Sequence, residues 1–147
     1  MEKTLPRRQA RENAFLFAFS TTFHYDTNLE ASLLANEEDS EQVVDEFGKR
    51  LLHAYNAHEA EVNDLITARL RGWTLARLPR VSVTALRLAI AEMLYTGENK
   101  PSVAINEAVE LVKKYGAGDD YQFVNGLLGS VARDLNLQES EKPQENS

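Results

Sequence analysis

Apolar residues recur along the chain every three to four positions, the spacing of helices that bury one face. That spacing predicts helices at about 6–21, 29–36, 41–56, 58–71, 81–96, 101–115 and 119–135. In the third, Val44, Phe47, Leu51 and Tyr55 form one stripe, weakened at Gly48; in the fourth, Val62, Leu65, Ile66 and Leu70 form another, with Arg69 at its edge. The segment VTALRLAIAEML (83–94) is apolar nearly all round, which marks a central helix packed on several sides, with Ser82 placed as its N-cap. Arg87 and Glu92 interrupt that cylinder, and are expected to be an internally paired arginine and a structural carboxylate. Trp73, just past a helix, is expected to plug the core between two helical layers. Gly72, Gly97 and Gly116 each follow a periodic run, where a C-cap wants positive φ, and Pro6, Pro79 and Pro101 stand at or just before the next start. TLARLP forms a short turn. No strand-like alternation and no repeat emerge, so the expected fold is an all-α bundle. The expected domain covers 1–136, and LQESEKPQENS (137–147) lacks periodicity and is expected to be a disordered polar tail.

The last helix has an unusual surface. At about 100° per residue, Tyr121, Val124, Leu128, Val131 and Leu135 cluster on the presumed core face. Phe123 lies about a quarter turn off that face, with Asp119 beside it, and Gly126 and Gly129 fall on the far side. An exposed helical glycine costs roughly 0.5–1 kcal/mol relative to alanine, so two of them point to close approach by another part of the chain or by a ligand. Asn106 shares a polar face with Glu110 and Lys113, facing solvent or bridging to a neighbour.

Charge changes this picture more than composition does. With 147 residues and 43% hydrophobic content the chain can bury a core. A net charge of −7 argues against broad attraction to nucleic acid. The charge is uneven: residues 1–11 carry a local +3, whereas 26–46 hold eight acids and neither Lys nor Arg. Cysteine is absent, so disulfides and thiolate chemistry are excluded, and a reducing cytoplasm is the expected setting. No apolar run is long enough to span a membrane, and AFLFAF is too short for a secretory signal. His53 and His58 are five apart, out of register for helical metal ligands, and no Glu-x-x-His motif or phosphate-binding glycine loop occurs; neither a metal nor a cofactor is expected.

Arg7, Arg8 and Arg11 stand at the start of the first helix, the end where acids are normally favoured. They form either a solvated helix start or a phosphate clamp assisted by unpaired helical amides. Three such contacts to single-stranded RNA give a salt slope of only about −2, a weak grip that needs base stacking or a partner protein.

Together, PSVAINEAVELVKKYG, GDDYQFVNGLL, RRQARENA, WTLARLPRVS and ALRLAIAEML resemble the NusB family of bacterial transcription antitermination factors, over roughly residues 6–135. The resemblance implies two helical subdomains packed side by side, and RNA binding rather than catalysis. It implies recognition of the boxA element of nascent RNA with the help of NusE, a small-subunit ribosomal protein. The complex would join RNA polymerase antitermination assemblies, notably on ribosomal RNA operons. By position, the RNA-binding residues become Arg7, Arg8, Arg11, Asp119 and Phe123, with Phe19 standing where a tyrosine is common and keeping the capacity to stack. The openings of the first and last helices are then expected to lie together as a basic ledge with an aromatic step. Gln9 interrupts a cluster that is usually denser in arginine, and Leu16 makes the first helix apolar nearly all round, in keeping with deeper burial or a homodimer surface. A protein-only adaptor is the alternative reading. NusB-like domains also precede the catalytic domain of ribosomal RNA cytosine methyltransferases, but this chain has no cysteine to attack cytosine and is not expected to be an enzyme.

Overall fold

The structure, a computed structural model, describes residues 4–21, 28–38, 41–97 and 100–137. Among them the α-helices are α1 (Arg7–Thr21), α2 (Leu29–Glu38), α3 (Glu46–Ala57), α4 (Glu59–Thr67), α5 (Arg80–Tyr95), α6 (Pro101–Tyr115) and α7 (Asp120–Asp134), with one 3-10 turn at Leu75–Arg77 and no strand. The periodicity had placed all seven. Residues 138–147, where the polar tail was expected, lie outside the described residues, as does His24.

The run that is apolar nearly all round is indeed the centre. α5 packs against α1, α3 and α4 on one side and against α6 and α7 on the other. These are the two helical subdomains, and they share α5. Leu86 and Ile90 are completely enclosed, and burial of each contributes roughly 1.5–3 kcal/mol. None of the described helices is long and apolar enough to cross a membrane.

Several local expectations are corrected. Ser82 does not cap α5. Pro79, with φ −58°, stands at the N-cap, and the helix starts directly after it; Ser82 lies inside the first turn, its buried hydroxyl without a hydrogen-bond partner. α3 starts later than expected because Asp45 caps it. Its buried carboxylate accepts from the Gly48 amide at 2.9 Å and from the Leu5 amide at 3.0 Å, which also fastens the segment leading into α1. Trp73 is no core plug, being 59% exposed. α4 ends at Thr67, and the connection turns outward at Gly72 (φ 76°), while Leu70, Leu75 and Leu78 pack against the core instead.

Two helix ends also differ from expectation. Gly116 has φ −92°, so it does not serve as a left-handed cap. Its lack of a side chain matters for another reason, since a Cβ there would lie 2.7 Å from the Val112 carbonyl oxygen. Leu135, assigned to the core face, is 41% exposed because α7 ends at Asp134. The chain then turns through Asn136 (φ 55°), and the Leu137 amide donates to the Ala132 carbonyl at 2.8 Å, closing a Schellman-type end with Leu137 folded back on the core.

Candidate nucleic-acid interface

The three arginines at the start of α1 occupy three different environments. Arg11 is drawn inside: its Nε and Nη2 donate to the Glu92 carboxylate at 2.9 and 2.6 Å, with the two side chains only 12% and 5% exposed. The buried pair gives Glu92 the structural role expected of it, while Arg87, expected to be paired internally, donates to Asn63 at 2.9 Å and lies over the Tyr55 ring. Arg8 makes the same fork with Glu107 of α6, at 3.1 and 3.0 Å, but in water, 71% exposed. The bond and charge of Glu107 raise the Arg8 pKa further. Arg7 lies 4.0 Å above the Phe47 ring, with Arg11 and Arg50 at 5.3 and 5.4 Å from the same ring. A buried phenyl thus gathers three guanidinium groups through its negative face. Gln9, which breaks the arginine run, donates to Asn13 at 2.8 Å, and Asn13 in turn holds the Val43 carbonyl at 2.8 Å.

The end of α6 continues this basic surface. Lys114 donates to Glu12 of α1 at 2.6 Å, and the Tyr115 hydroxyl donates to the same carboxylate oxygen. Lys114 above all, then Tyr115, holds the Glu12 pKa below its ordinary 4.5, and Glu12 raises that of Lys114. Phe15 stacks on Tyr115 (centroids 5.6 Å apart) and on Phe19 (6.2 Å), so half-buried Phe19 belongs to an aromatic row along α1. The preceding residue, Lys113, reaches the other way, 5.0 Å from the Tyr121 ring in the first turn of α7. Consecutive lysines therefore connect α1 to the opening of α7.

That link revises the expected ledge, because α6 lies between the two helix openings. Residues 121 and 123 point about 200° apart around α7. Tyr121 faces α6, whereas Phe123, 39% exposed, lies on the flank facing the end of α4, in a groove it shares with Arg69, Arg71 and Gly126. Arg69 ties the two helices there, donating to Ser130 at 3.1 Å and Asp134 at 2.7 Å. Asp119 stands exposed at the N-cap of α7 and makes no capping bond. Close packing within the chain does not explain the two glycines. A Cβ on Gly126 would meet nothing within 4 Å, and one on Gly129 only Arg133 Nη1 at 3.3 Å. Asn106 is exposed.

Sequence reasoning missed Arg50, Lys113 and Lys114. The lysines were visible as a basic pair ending a helix, where they suit the macrodipole, but their reach to α1 and α7 was not. Among the described residues no group of three metal-ligating side chains occurs.

The NusB family model matches residues 8–133. The transcription antitermination protein NusB of Enterococcus faecalis is 37% identical over 146 residues, covering 92% of this chain and 95% of that protein. The protein of the same name from Agathobacter rectalis is 36% identical, covering 87% and 100%. Among solved structures, T. maritima NusB superimposes with a TM-score of 0.78 at 30% identity, covering 99% of this chain and 100% of that one. A crystal structure of antitermination factors NusB and NusE in complex with dsRNA gives 0.74 at 28% identity, covering 87% and 96%. These relatives are named for transcription antitermination and not for a catalysed reaction. With the arginine-led α1, the FVNG-bearing α7 and a matched span that takes in nearly all of the described helices, the chain belongs to the NusB family.

Proposed function

We propose that this protein is the RNA-binding subunit of a transcription antitermination complex, taking boxA-type single-stranded RNA together with NusE and joining RNA polymerase, notably on ribosomal RNA operons. One observation carries the reading. In a chain of net charge −7, Arg7, Arg8, Arg50, Lys113 and Lys114 collect around the start of α1 and the end of α6, and Phe123 stands exposed on the adjoining helix. Arg7 and Arg8 serve phosphates, Phe123 and the row containing Phe19 offer stacking faces, and Arg11 holds α1 in place from within. Asp119 flanks the stacking face as an acceptor for base amino groups. The solved assembly of NusB with NusE and RNA in the same family supports both partners.

A protein-only adaptor is favoured by one fact, that Arg8, Lys113 and Lys114 already face glutamates. Exposed pairs of that kind contribute little and are screened by salt, so backbone phosphates, several to a strand, compete for the same donors. Fluorescence anisotropy of a boxA oligonucleotide and a scrambled one, each with and without NusE, tests the reading. Sequence-dependent binding strengthened by NusE is expected. NusE docking with no RNA preference in either condition assigns the chain to the adaptor class.

A further inference from the structure

One stretch of the chain is poor in acids. Residues 65–91 contain five arginines and neither Asp nor Glu, in a protein that is otherwise acidic. Two of the five are engaged internally, Arg69 with Ser130 and Asp134, and Arg87 with Asn63. Arg71 and Arg77 are exposed, and among the described residues neither side chain makes a hydrogen bond or ion pair. Between them stands Trp73, whose 59% exposure no packing requirement explains. An indole left in water forgoes roughly 1.5–3 kcal/mol of burial, so a surface tryptophan among unpaired guanidiniums has the composition of a stacking platform rather than of a solvated loop.

The position of this loop gives it a partner surface. Arg71 lines the same groove as Phe123, together with Ala68, Gln122 and Gly126. Trp73 follows Arg71 by two residues, so their Cα atoms are within about 7.6 Å. With no side chain on Gly126, and nothing within 4 Å of where one would be, the floor of the groove beside Phe123 stays open. Phe123 within the groove and exposed Trp73 two residues past Arg71, just beyond the groove's lining, suit a strand whose bases stack while its phosphates meet arginine.

We infer that the groove between α7 and the end of α4 is a second segment of single-stranded RNA binding, in which Trp73 stacks a base beyond the one at Phe123 while Arg71 and Arg77 hold phosphates. This rests on the RNA-binding reading above and extends it to residues outside the arginine motif of α1.

Trp73 is the sole tryptophan of the chain, so its emission reports on this site alone. Titration with boxA RNAs of increasing length is expected to quench that emission once the strand is long enough to pass Phe123. Trp73→Ala should weaken binding of the long RNA by roughly 5- to 160-fold, the range for loss of one stack, with Trp73→Phe restoring most of it. Arg71→Ala combined with Arg77→Ala should reduce the salt slope by about 1.4, at roughly 0.7 per phosphate. The shortest RNA should bind all variants like the wild type, and melting temperatures should not move, since the three side chains are exposed. Long RNA that binds tightly without changing Trp73 emission, or binds the variants as it binds the wild type, overturns this second segment while leaving the RNA-binding reading intact. Wild-type protein that binds neither RNA removes both. Weaker NusE capture without RNA, at unchanged RNA affinity, assigns the patch to a protein partner and likewise overturns the inference.

Discussion

The openings of α1 and α7 carry the residues singled out for RNA, yet they are built in opposite ways. At α1 the functional side chains are tied down: Arg11 to Glu92 inside the protein, Arg8 to Glu107 at its surface, Arg7 over Phe47. At α7 they are left open: Phe123 half in solvent, Asp119 without a capping bond, Gly126 facing empty space. The difference separates positioning from contact. A guanidinium that is almost fully enclosed with its carboxylate fixes where a helix lies, whereas an exposed ring gives up nothing in the fold when a base covers it. Identical residue types within one motif, Arg8 and Arg11, fall on different sides of that division because one is one turn deeper along α1.

The sharpest way to break the contrast is Glu92→Ala, which strands a buried charge. A loss of about 3–5 kcal/mol is expected, read as a fall in melting temperature of roughly 10 °C by calorimetry. Replacing both partners, Arg11→Met with Glu92→Leu, should return most of that stability, because an apolar pair of similar volume needs no desolvation. A small effect of Glu92→Ala would mean that Arg11 is not committed to the interior.

At α7 the same kind of truncation should act on binding instead. Phe123→Ala is expected to weaken boxA RNA binding by about 1–3 kcal/mol in anisotropy titrations while the melting temperature hardly changes. A large fall in melting temperature would place Phe123 with the positioning residues. Next in size, Gly126→Ala should stabilise by about 0.5–1 kcal/mol in urea unfolding, since helical φ and open space both admit a methyl group. If RNA binding drops in parallel, the gap in the groove is used by the strand. The smallest effect belongs to Arg8→Ala: unchanged melting, and a salt slope for RNA binding lower by about 0.7.

How much of this was legible in the sequence depended on the range of the interaction. Helices set by periodicity were readable because the information lies within one or two turns, and Phe123 could be taken off the core face by counting residues. Local rules competed at helix ends. Ser82 looked like a cap, but Pro79 stands at the N-cap of α5 three residues sooner; Asp45 starts α3 inside a run that already looked helical. Long-range partnerships left no periodic trace. Nothing local in Arg11 announces Glu92, nor in Lys114 Glu12, and Arg50 joins the arginine cluster only because Phe47 draws α1 and α3 to one ring. Trp73 lies outside because Leu70, Leu75 and Leu78 cover the core there, a division of labour that no local pattern reveals. Chain position alone could not show that Phe123 and Tyr121 serve opposite flanks of α7, with α6 standing between the two openings.

Because both subdomains are assembled on one shared rod, α5, neither can melt without uncovering the flank of that rod on which the other depends. Heat or denaturant should therefore find a molecule that comes apart in a single step, and a nucleic-acid strand lying across it meets a fixed span rather than a hinge. On the proposed RNA-binding reading, the separation between the arginine end and the stacking end would set a minimum length for a strand that reaches both.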